Sequence, residues 1–324
     1  MPLIYWILFN AFVLVMLLLD LFVFNRKKKE VKVKDALLWS GFWIALALAF
    51  NALIYFWKGQ TMALEFLTGY LIEKSLSVDN LFVFLVIFSY FNIPGKYQHK
   101  VLFWGVLGAL ISRAVFIFAG VKLIEQFHFT LYLLGGFLVF AGLKLMFQKE
   151  KEFEPEKSIA IKLIRMVFPI TNELHEDKFF VRLNNVLHAT PLFVVVFLIE
   201  TTDVIFAMDS IPAILAVSKD PFIVFTSNIF AILGLRSLYF ALSGIMNLFH
   251  YLKYGLATIL AFIGTKILIA DYYHMPVLVA LGVVGGILIL SVLVSVLFPQ
   301  KAEQIEIDLN DGNSTLPDDE NKAA

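Results

Sequence analysis

The 324-residue chain contains no cysteine and few charged residues. The absence of cysteine excludes disulfides, thiolate metal sites, cysteine-ligated iron–sulfur clusters and cysteine nucleophiles. Only 16% of the residues are charged, whereas a soluble domain has about a quarter. Neither a Walker A sequence nor a GxGxxG sequence occurs, so nothing in the chain supports ATP or dinucleotide binding.

Apolar residues fill most of the chain, with 60% hydrophobic residues, 34 Phe and a mean hydropathy of +0.83. This composition predicts an all-α polytopic membrane protein with about nine transmembrane helices of roughly 20 residues each. The nine hydrophobic runs are 3–24, 36–57, 63–91, 101–121, 129–147, 189–217, 222–247, 254–272 and 276–298. The first run has no basic segment before it and no obvious cleavage site, so we expect it to be retained.

Lys and Arg are distributed unevenly between the connecting segments. Segments 25–35, 92–100, 148–188 and 248–253 together carry sixteen of them, whereas the four intervening loops carry three. Because cytoplasmic loops are enriched in Lys and Arg, the N-terminus is predicted outside and the C-terminus in the cytoplasm. Basic and acidic residues number 26 each, so the net charge indicates no particular partner, and we expect no nucleic-acid partner.

The hydrophobic runs predict one transmembrane domain over residues 1–300. Residues 301–324 are acidic and poor in large apolar side chains, which is typical of a disordered tail. Loop 148–188 is the one sizeable soluble insert, and it is predicted to be cytoplasmic. Its segment IAIKLIRMVF is compatible with an amphipathic interfacial helix and equally with a plain connector.

Three pairs of similar segments recur in the same order, 122 to 124 residues apart, and each pair shares a charged residue. VDNLFVF (78–84) resembles TDVIFAM (202–208), SRAVFIF (112–118) resembles LRSLYFA (235–241), and LVFAGLKLMF (138–147) resembles LAFIGTKILI (260–269). Predicted helices 3–5, about 63–147, therefore repeat as helices 6–8, about 189–272. Three helices per unit make the repeat inverted, which is the plan of many secondary transporters.

Acidic residues occur at membrane depth in two predicted helices, the third and the sixth. They are Glu73, Asp79, Glu200, Asp203 and Asp209. A carboxylate near the bilayer centre costs on the order of 3 kcal/mol, so we expect these groups to face protein, water or a cation. On regular helices Glu200 and Asp203 share a face, whereas the pairs Glu73–Asp79 and Asp203–Asp209, each six residues apart, are separated around the helix. Convergence of all five therefore predicts local unwinding, near the run KSLSVDN or at Pro212.

A site of oxygen ligands favours a hard divalent cation, namely Mn²⁺, Mg²⁺ or Ca²⁺. Four further residues are supporting candidates: Asn80, Ser210, Arg113 and Arg236. The amide and hydroxyl could ligate or cap freed backbone, whereas the arginines would hold the two repeats together by ion pairs. A structural alternative stays open for the carboxylates, which could simply pair with Arg or Lys. We expect Lys74, Lys144 and Lys266 to extend towards the membrane surface.

The stretches FLTGYLIEKSLSVDNLFVF, ATPLFVVVFLIETTDVIFAMDSIPAI, FTSNIFAILGLRSLYF and LKYGLATILAFIGTKILI carry a family resemblance. From about residue 10 to residue 295, the chain resembles the TerC family of integral membrane proteins, especially its Alx-type manganese exporters. The resemblance implies a nine-helix bacterial inner-membrane protein, distantly similar to LysE-type carriers, that exports Mn²⁺. It also implies that the metal is held by Glu73, Asp79, Glu200, Asp203 and Asp209.

Together these observations predict a secondary transporter that exports Mn²⁺ by alternating access, embedded in a lipid bilayer and without a resident cofactor. Excess negative charge at the site makes proton antiport a natural coupling, since metal binding would release protons. Two alternatives are a scaffold or chaperone for membrane-protein assembly and a carrier of Ca²⁺ or an oxyanion. An enzyme is not predicted, because no nucleophile–base pair stands out.

Overall fold

A computed structural model describes residues 2–22, 33–127, 129–147, 159–171, 173–183, 185–243, 251–273 and 275–297. Over these residues the chain is mostly helical. The helices of the first half are α1 (Leu3–Phe22), α2 (Val33–Lys58), α3 (Gln60–Tyr90), α4 (Gly95–Gln126), α5 (Thr130–Phe147) and α6 (Ile159–Val167). After the strands β1 (Phe180–Leu183) and β2 (Val186–Ala189) come α7 (Pro191–Leu215), α8 (Pro221–Leu233), α9 (Leu235–Leu242), α10 (Leu252–Leu268) and α11 (Val277–Leu297).

Six helical segments of the described chain are long and apolar enough to cross a membrane. They are α2, α4, α5, α7, the combined segment Pro221–Leu242 and α11. Large apolar side chains cover the outside of the bundle; Leu133, Phe140 and Leu290 are each more than 60% exposed. Such a surface is unfavourable in water and suits a lipid environment. The chain is therefore a polytopic, mostly helical membrane protein, as the sequence predicted.

Three other predicted spans fall outside this set of six. The apolar part of α1, Leu3–Leu19, is shorter, and α10 has 17 residues. The 31 residues of α3 include four charged ones, at positions 65, 73, 74 and 79. For these three helices the count of nine membrane crossings stays a prediction.

The joints between helices follow from local chemistry. Gly59 alone separates α2 from α3, with a φ of 91°, a conformation that glycine adopts without steric cost. Asp220 caps α8, because its carboxylate accepts the backbone N–H groups of Phe222 at 2.9 Å and Ile223 at 3.3 Å. Pro221 follows as the first helical residue, where its missing N–H has no cost.

The prediction that helices 3 and 6 unwind locally is wrong, because α3 and α7 are continuous. Two serines of the polar run in α3 form hydrogen bonds within the helix. Ser75 donates to the Leu71 carbonyl at 2.6 Å, and Ser77 donates to the Glu73 carboxylate at 3.4 Å. Hydroxyls that bond one turn back leave the helix intact. Pro212 lies in the last turn of α7, where it does not interrupt the helix.

The interruption lies instead in the seventh predicted span, 222–247. In the described part, α8 ends at Leu233, Gly234 forms a turn, and α9 starts at Leu235. Lys74 of α3 donates from Nζ to the carbonyl of Ala231, in the last turn of α8, at 3.2 Å. The expectation that Lys74 extends to the membrane surface is therefore wrong.

The helices of the two predicted repeat units pack against each other and not as separate halves. α4 packs against α7, α3 packs against α8 and α7, and α5 runs along α10. The contact between α5 and α10 is backbone to backbone. A Cβ at Gly264 would lie 2.6 Å from the Gly135 carbonyl oxygen, and a Cβ at Gly142 would lie 2.6 Å from that of Ala257. Glycines therefore permit this close approach.

The insert between α5 and α7 contains α6 and an antiparallel hairpin, in which Phe180 pairs with Ala189. Helix α6 falls within the segment predicted as an amphipathic helix, and it packs against α7. Its residues Ala160, Ile161 and Ile164 are buried, whereas the opposite face is exposed. Of the two interpretations left open for this segment, the structure has the helix, and its position at a membrane interface stays a prediction. The predicted acidic tail, 301–324, lies outside the described residues.

Candidate ion-pair site between four helices

Arg113 of α4 is completely buried in the middle of the bundle. Its guanidinium reaches Asp203 of α7 through two hydrogen bonds, Nη2 to Oδ1 at 2.9 Å and Nε to Oδ2 at 3.3 Å. Its Nη1 also donates to Oε1 of Glu73 on α3, and to Oγ of Ser210 on α7 at 3.3 Å. A guanidinium presents its donors as a planar fork, which suits two carboxylates at once.

Glu73 connects this cluster to a fourth helix. Its second oxygen, Oε2, accepts a hydrogen bond from Nδ2 of Asn228 on α8 at 3.1 Å. Glu73 and Asn228 are both fully buried. We call Glu73, Arg113, Asp203, Ser210 and Asn228 the ion-pair cluster. Four helices from both predicted repeat units, α3, α4, α7 and α8, meet in it.

The ion-pair cluster contains two carboxylates and one guanidinium, so it carries one net negative charge when all three groups are ionised. An uncompensated charge in a membrane interior is unfavourable unless a cation, a proton or water balances it. Oxygen ligands are also present, from two carboxylates and a hydroxyl. The arrangement is therefore suited to attract a small cation and unsuited to hold an anion.

A small cavity of about 10 Å³ borders the ion-pair cluster. Asp203 and Arg236 contribute its polar lining, and apolar residues of α3, α4 and α7, including Leu81 and Ile199, contribute the rest. A space of this size holds about one water molecule. Arg236 itself is buried, at 7% exposure. Asp203 therefore faces Arg113 and this cavity together.

The remaining predicted carboxylates, Glu200, Asp209 and Asp79, are not members of the ion-pair cluster as described. Glu200 is half-buried on α7, and its carboxylate lies against Gly108 of α4, where a Cβ would overlap it. Asp209 is half-buried on α7. The backbone of Asp79 belongs to α3, but its side chain lies outside the described residues. Asn80, a predicted supporting residue, is buried on α3.

Over the described residues, no three side chains of the His, Cys, Asp and Glu types are grouped as metal ligands. The five-carboxylate ligand set therefore stays a prediction. Glu73, Asp203, Arg113 and Ser210 do come together, with the arginine where a metal was expected. Sequence reasoning missed the contact of Lys74 with α8. The sequence signals for that contact are Gly234 within the seventh apolar run and Lys74 within the third.

Comparison with known proteins gives a family and several relatives. The family described as "Integral membrane protein TerC family" matches residues 58–303. An "Uncharacterized membrane protein STKORF319" of Myxococcus xanthus is 51% identical over 303 residues, which cover 94% of this chain and 95% of that protein. The protein of Escherichia coli (strain K12) named "Putative membrane-bound redox modulator Alx" is 48% identical over 299 residues, covering 90% and 93%.

An "Uncharacterized membrane protein" of Rickettsia bellii is 43% identical over 292 residues, which cover 90% of this chain and 97% of that protein. No solved structure matches the chain. The family match spans every helix of the ion-pair cluster, and the relatives align over nearly their whole length. The chain therefore belongs to the TerC family of integral membrane proteins.

Proposed function

We propose that this protein is a secondary transporter that exports Mn²⁺ from the cytoplasm by alternating access. The observation that carries the proposal is the fully buried Arg113, paired with carboxylates from two different helices. A scaffold has no need for a net charge at the centre of its bundle, whereas a cation carrier must attract its substrate there. The choice of Mn²⁺ over other hard dications follows the resemblance to manganese exporters.

The ion-pair cluster would act as the ion-free form of the substrate site. Arg113 supplies the positive charge that Glu73 and Asp203 require when no metal is present. Entry of Mn²⁺ would put a dication beside the same carboxylates, so the guanidinium would have to withdraw by electrostatic repulsion. Half-buried Glu200 lies one turn before Asp203 and would be available to complete the oxygen ligands.

The packing of the helices supports an inverted repeat as the moving framework. In such a repeat α3, α4 and α5 exchange with α7, the α8–α9 pair and α10. The packing of α4 against α7 would then correspond to that of α8 against α3, and α5 would pack against its own counterpart, α10. All three contacts are present. Arg113 and Asp203 belong to different units, so a rocking motion would separate them.

Export as the direction of transport follows the resemblance to manganese exporters. The predicted topology places the N-terminus outside and the C-terminus in the cytoplasm of a bacterial inner membrane. Proton antiport would balance the cycle, because carboxylates that bind protons in the empty state release them to the metal. In this scheme the partners of the chain are a divalent cation, protons and the lipid bilayer. The protein is no enzyme under this proposal.

Two alternatives meet specific difficulties in this chain. An oxyanion carrier needs a free guanidinium, but Arg113 already donates to two carboxylates. The name of the Alx relatives refers to redox modulation, and any such role here would have to proceed without thiol chemistry, since the chain contains no cysteine. Ca²⁺ carries the same charge and also takes oxygen ligands, so selectivity between the dications is an experimental question.

The direct test measures Mn²⁺ in cells grown at high external Mn²⁺, with each variant at equal membrane abundance. We expect the native chain to lower cellular Mn²⁺, and Glu73→Gln and Asp203→Asn to abolish that effect while remaining folded. Asp177→Asn is the matched control, because it removes an exposed carboxylate outside the bundle. Export by folded Asp203→Asn at the native level would refute the proposed site. In vesicles, a transport rate independent of the pH gradient would refute the proposed proton antiport and leave the proposed site intact.

A further inference from the structure

The interruption at Gly234 leaves the carbonyl end of α8 inside the protein. The last four carbonyls of an α-helix have no partner within that helix, and a buried carbonyl without a partner is unfavourable. Within this last turn, the N–H of Gly234 bonds to Ile232, and Nζ of Lys74 bonds to Ala231. Lys74 is at the middle of α3, so its ammonium reaches this turn from inside the helix bundle.

Gly234 provides the space for this contact. A Cβ at this position would lie 2.9 Å from Nζ of Lys74 and 3.0 Å from Cβ of Trp43 on α2. The φ of Gly234 is −89°, which any residue can adopt, so glycine is required here for volume and not for conformation. Trp43 is itself buried, at 2% exposure. The turn between α8 and α9 is therefore enclosed by α2 and α3.

The neighbour of Lys74 contacts the same turn of α8. Glu73 accepts a hydrogen bond from Asn228, and Lys74 donates one to the carbonyl of Ala231, three residues further on. Residues three apart lie on one face of a helix, so Asn228 and Ala231 are neighbours on α8. Two consecutive residues of α3 with opposite charges, Glu73 and Lys74, therefore bind the same turn of α8. Glu73 also belongs to the ion pair with Arg113. The break and the ion-pair cluster are thus joined through one peptide bond of α3.

We propose that the carbonyl end of α8 is a cation site, which the ammonium of Lys74 occupies from within the chain. The C-terminus of a helix carries a partial negative charge, and the carbonyl ends of broken helices coordinate cations in membrane carriers. Here a tethered ammonium takes the place of an ion from solution. Lys74 is therefore a positioning residue, which fixes the break beside Glu73 without a requirement for external Na⁺ or K⁺.

Removal of the ammonium should make the break dependent on a soluble cation. The purified full-length chain, in detergent, would be heated in NaCl and in choline chloride of equal concentration. The native protein is expected to have the same Tm in both salts, because the site is already filled. Lys74→Met is expected to melt several degrees lower in choline chloride and to recover in NaCl, since Na⁺ fits a carbonyl site and choline is too large.

Three further variants complete the test. Lys74→Arg keeps a cation and should behave like the native chain, whereas Lys74→Gln keeps a donor without charge and should need Na⁺. Lys162→Met is the control, because it removes an exposed lysine from α6 and should show no dependence on the salt. Melting uses no transport, so failure of this inference and failure of the Mn²⁺ proposal are distinguishable.

The alternative outcomes overturn the inference in different ways. Equal losses of Tm in both salts would assign Lys74 to packing alone, and no loss in either salt would show that the contact with Ala231 contributes nothing. If Lys74→Met and Lys74→Gln give no folded protein in either salt while Lys74→Arg folds, an ion from solution does not replace the ammonium. The cation site would then be rejected.

Discussion

Arg113 balances the buried negative charge at the centre of the helix bundle. It has no access to solvent, and it balances carboxylates that come from α3 and α7. Breaking a buried ion pair by removing one partner usually costs about 3–5 kcal/mol, because the remaining charge stays buried and unpaired. In this protein two carboxylates would be left.

Arg113→Gln is therefore expected to lower the free energy of unfolding by about 3–5 kcal/mol, measured by denaturant titration in detergent. Adding Asp203→Asn should recover part of that loss, since one of the two unpaired charges is removed. Arg165→Gln on the exposed face of α6 is the matched control and should change stability by less than about 0.5 kcal/mol. A single variant as stable as the native chain would show that the buried carboxylates are balanced by other means.

At this scale the sequence was informative about which residues matter. Glu73, Asp203 and Arg113 stand out because charge is costly in an apolar run. The pairing between them could not be predicted, since Glu200 and Asp203 share a face of α7 and either could meet an arginine. Only the packing of α4 against α7 decides this. It places Gly108 beside Glu200 and Arg113 beside Asp203.

The helices α5 and α10 approach each other closely through their backbones. Gly135 and Gly264 each lie where a Cβ would meet the other's carbonyl oxygen, at 3.1 and 2.6 Å respectively. Helices in a membrane gain little from apolar burial against each other, so close packing of this kind is a main source of their association. The two predicted repeat units are therefore joined through these glycines.

Gly264→Ala is expected to push α5 and α10 apart and to destabilise the protein by about 1–3 kcal/mol, because its Cβ meets backbone atoms that cannot move aside. Thermal melting in detergent would measure the change. Gly136→Ala on the partner helix α5 is the control, since a Cβ there meets nothing within 4 Å. It should be neutral or stabilising, and an equal loss in both variants would mean that helix contact is not the cause.

The helices also show where prediction from hydrophobic runs stops. Runs located the helices well, because apolar length is a strong signal. The predicted unwinding of α3 failed since Ser75 and Ser77 are satisfied one turn back, at Leu71 and Glu73, which a list of polar residues does not reveal. The break at Gly234 was missed because a single glycine in an apolar run is usually tolerated within a helix.

For the whole molecule, contacts between loops agree with the grouping that the basic residues predicted. At one end of the bundle Lys58 pairs with Asp220 at 2.6 Å. At the other end, Lys100 pairs with Asp177 at 3.4 Å. The segments before α3 and before α8 therefore share one end, and those before α4 and before β1 share the other. Which end faces the cytoplasm is a prediction from Lys and Arg.

The absence of cysteine makes that orientation easy to test. We expect Lys219→Cys, at the α7–α8 turn, to react with an impermeant maleimide added to intact cells, because this turn is predicted to be outside. Glu173→Cys, in the insert before β1, should react only after lysis. Both positions are exposed. The native chain is the blank, and labelling in the reverse order would place the N-terminus in the cytoplasm and refute the predicted topology.

The single-residue joint at Gly59 has a consequence for how small a functional version of this protein can be. The family match begins at residue 58, so it leaves out nearly all of α2. Yet α2 supplies Trp43, which lies beside Gly234 at the α8–α9 turn. The matched region therefore lacks a helix that packs against α3, α8 and α9. A truncated chain that starts there would lose one wall of the α8–α9 turn.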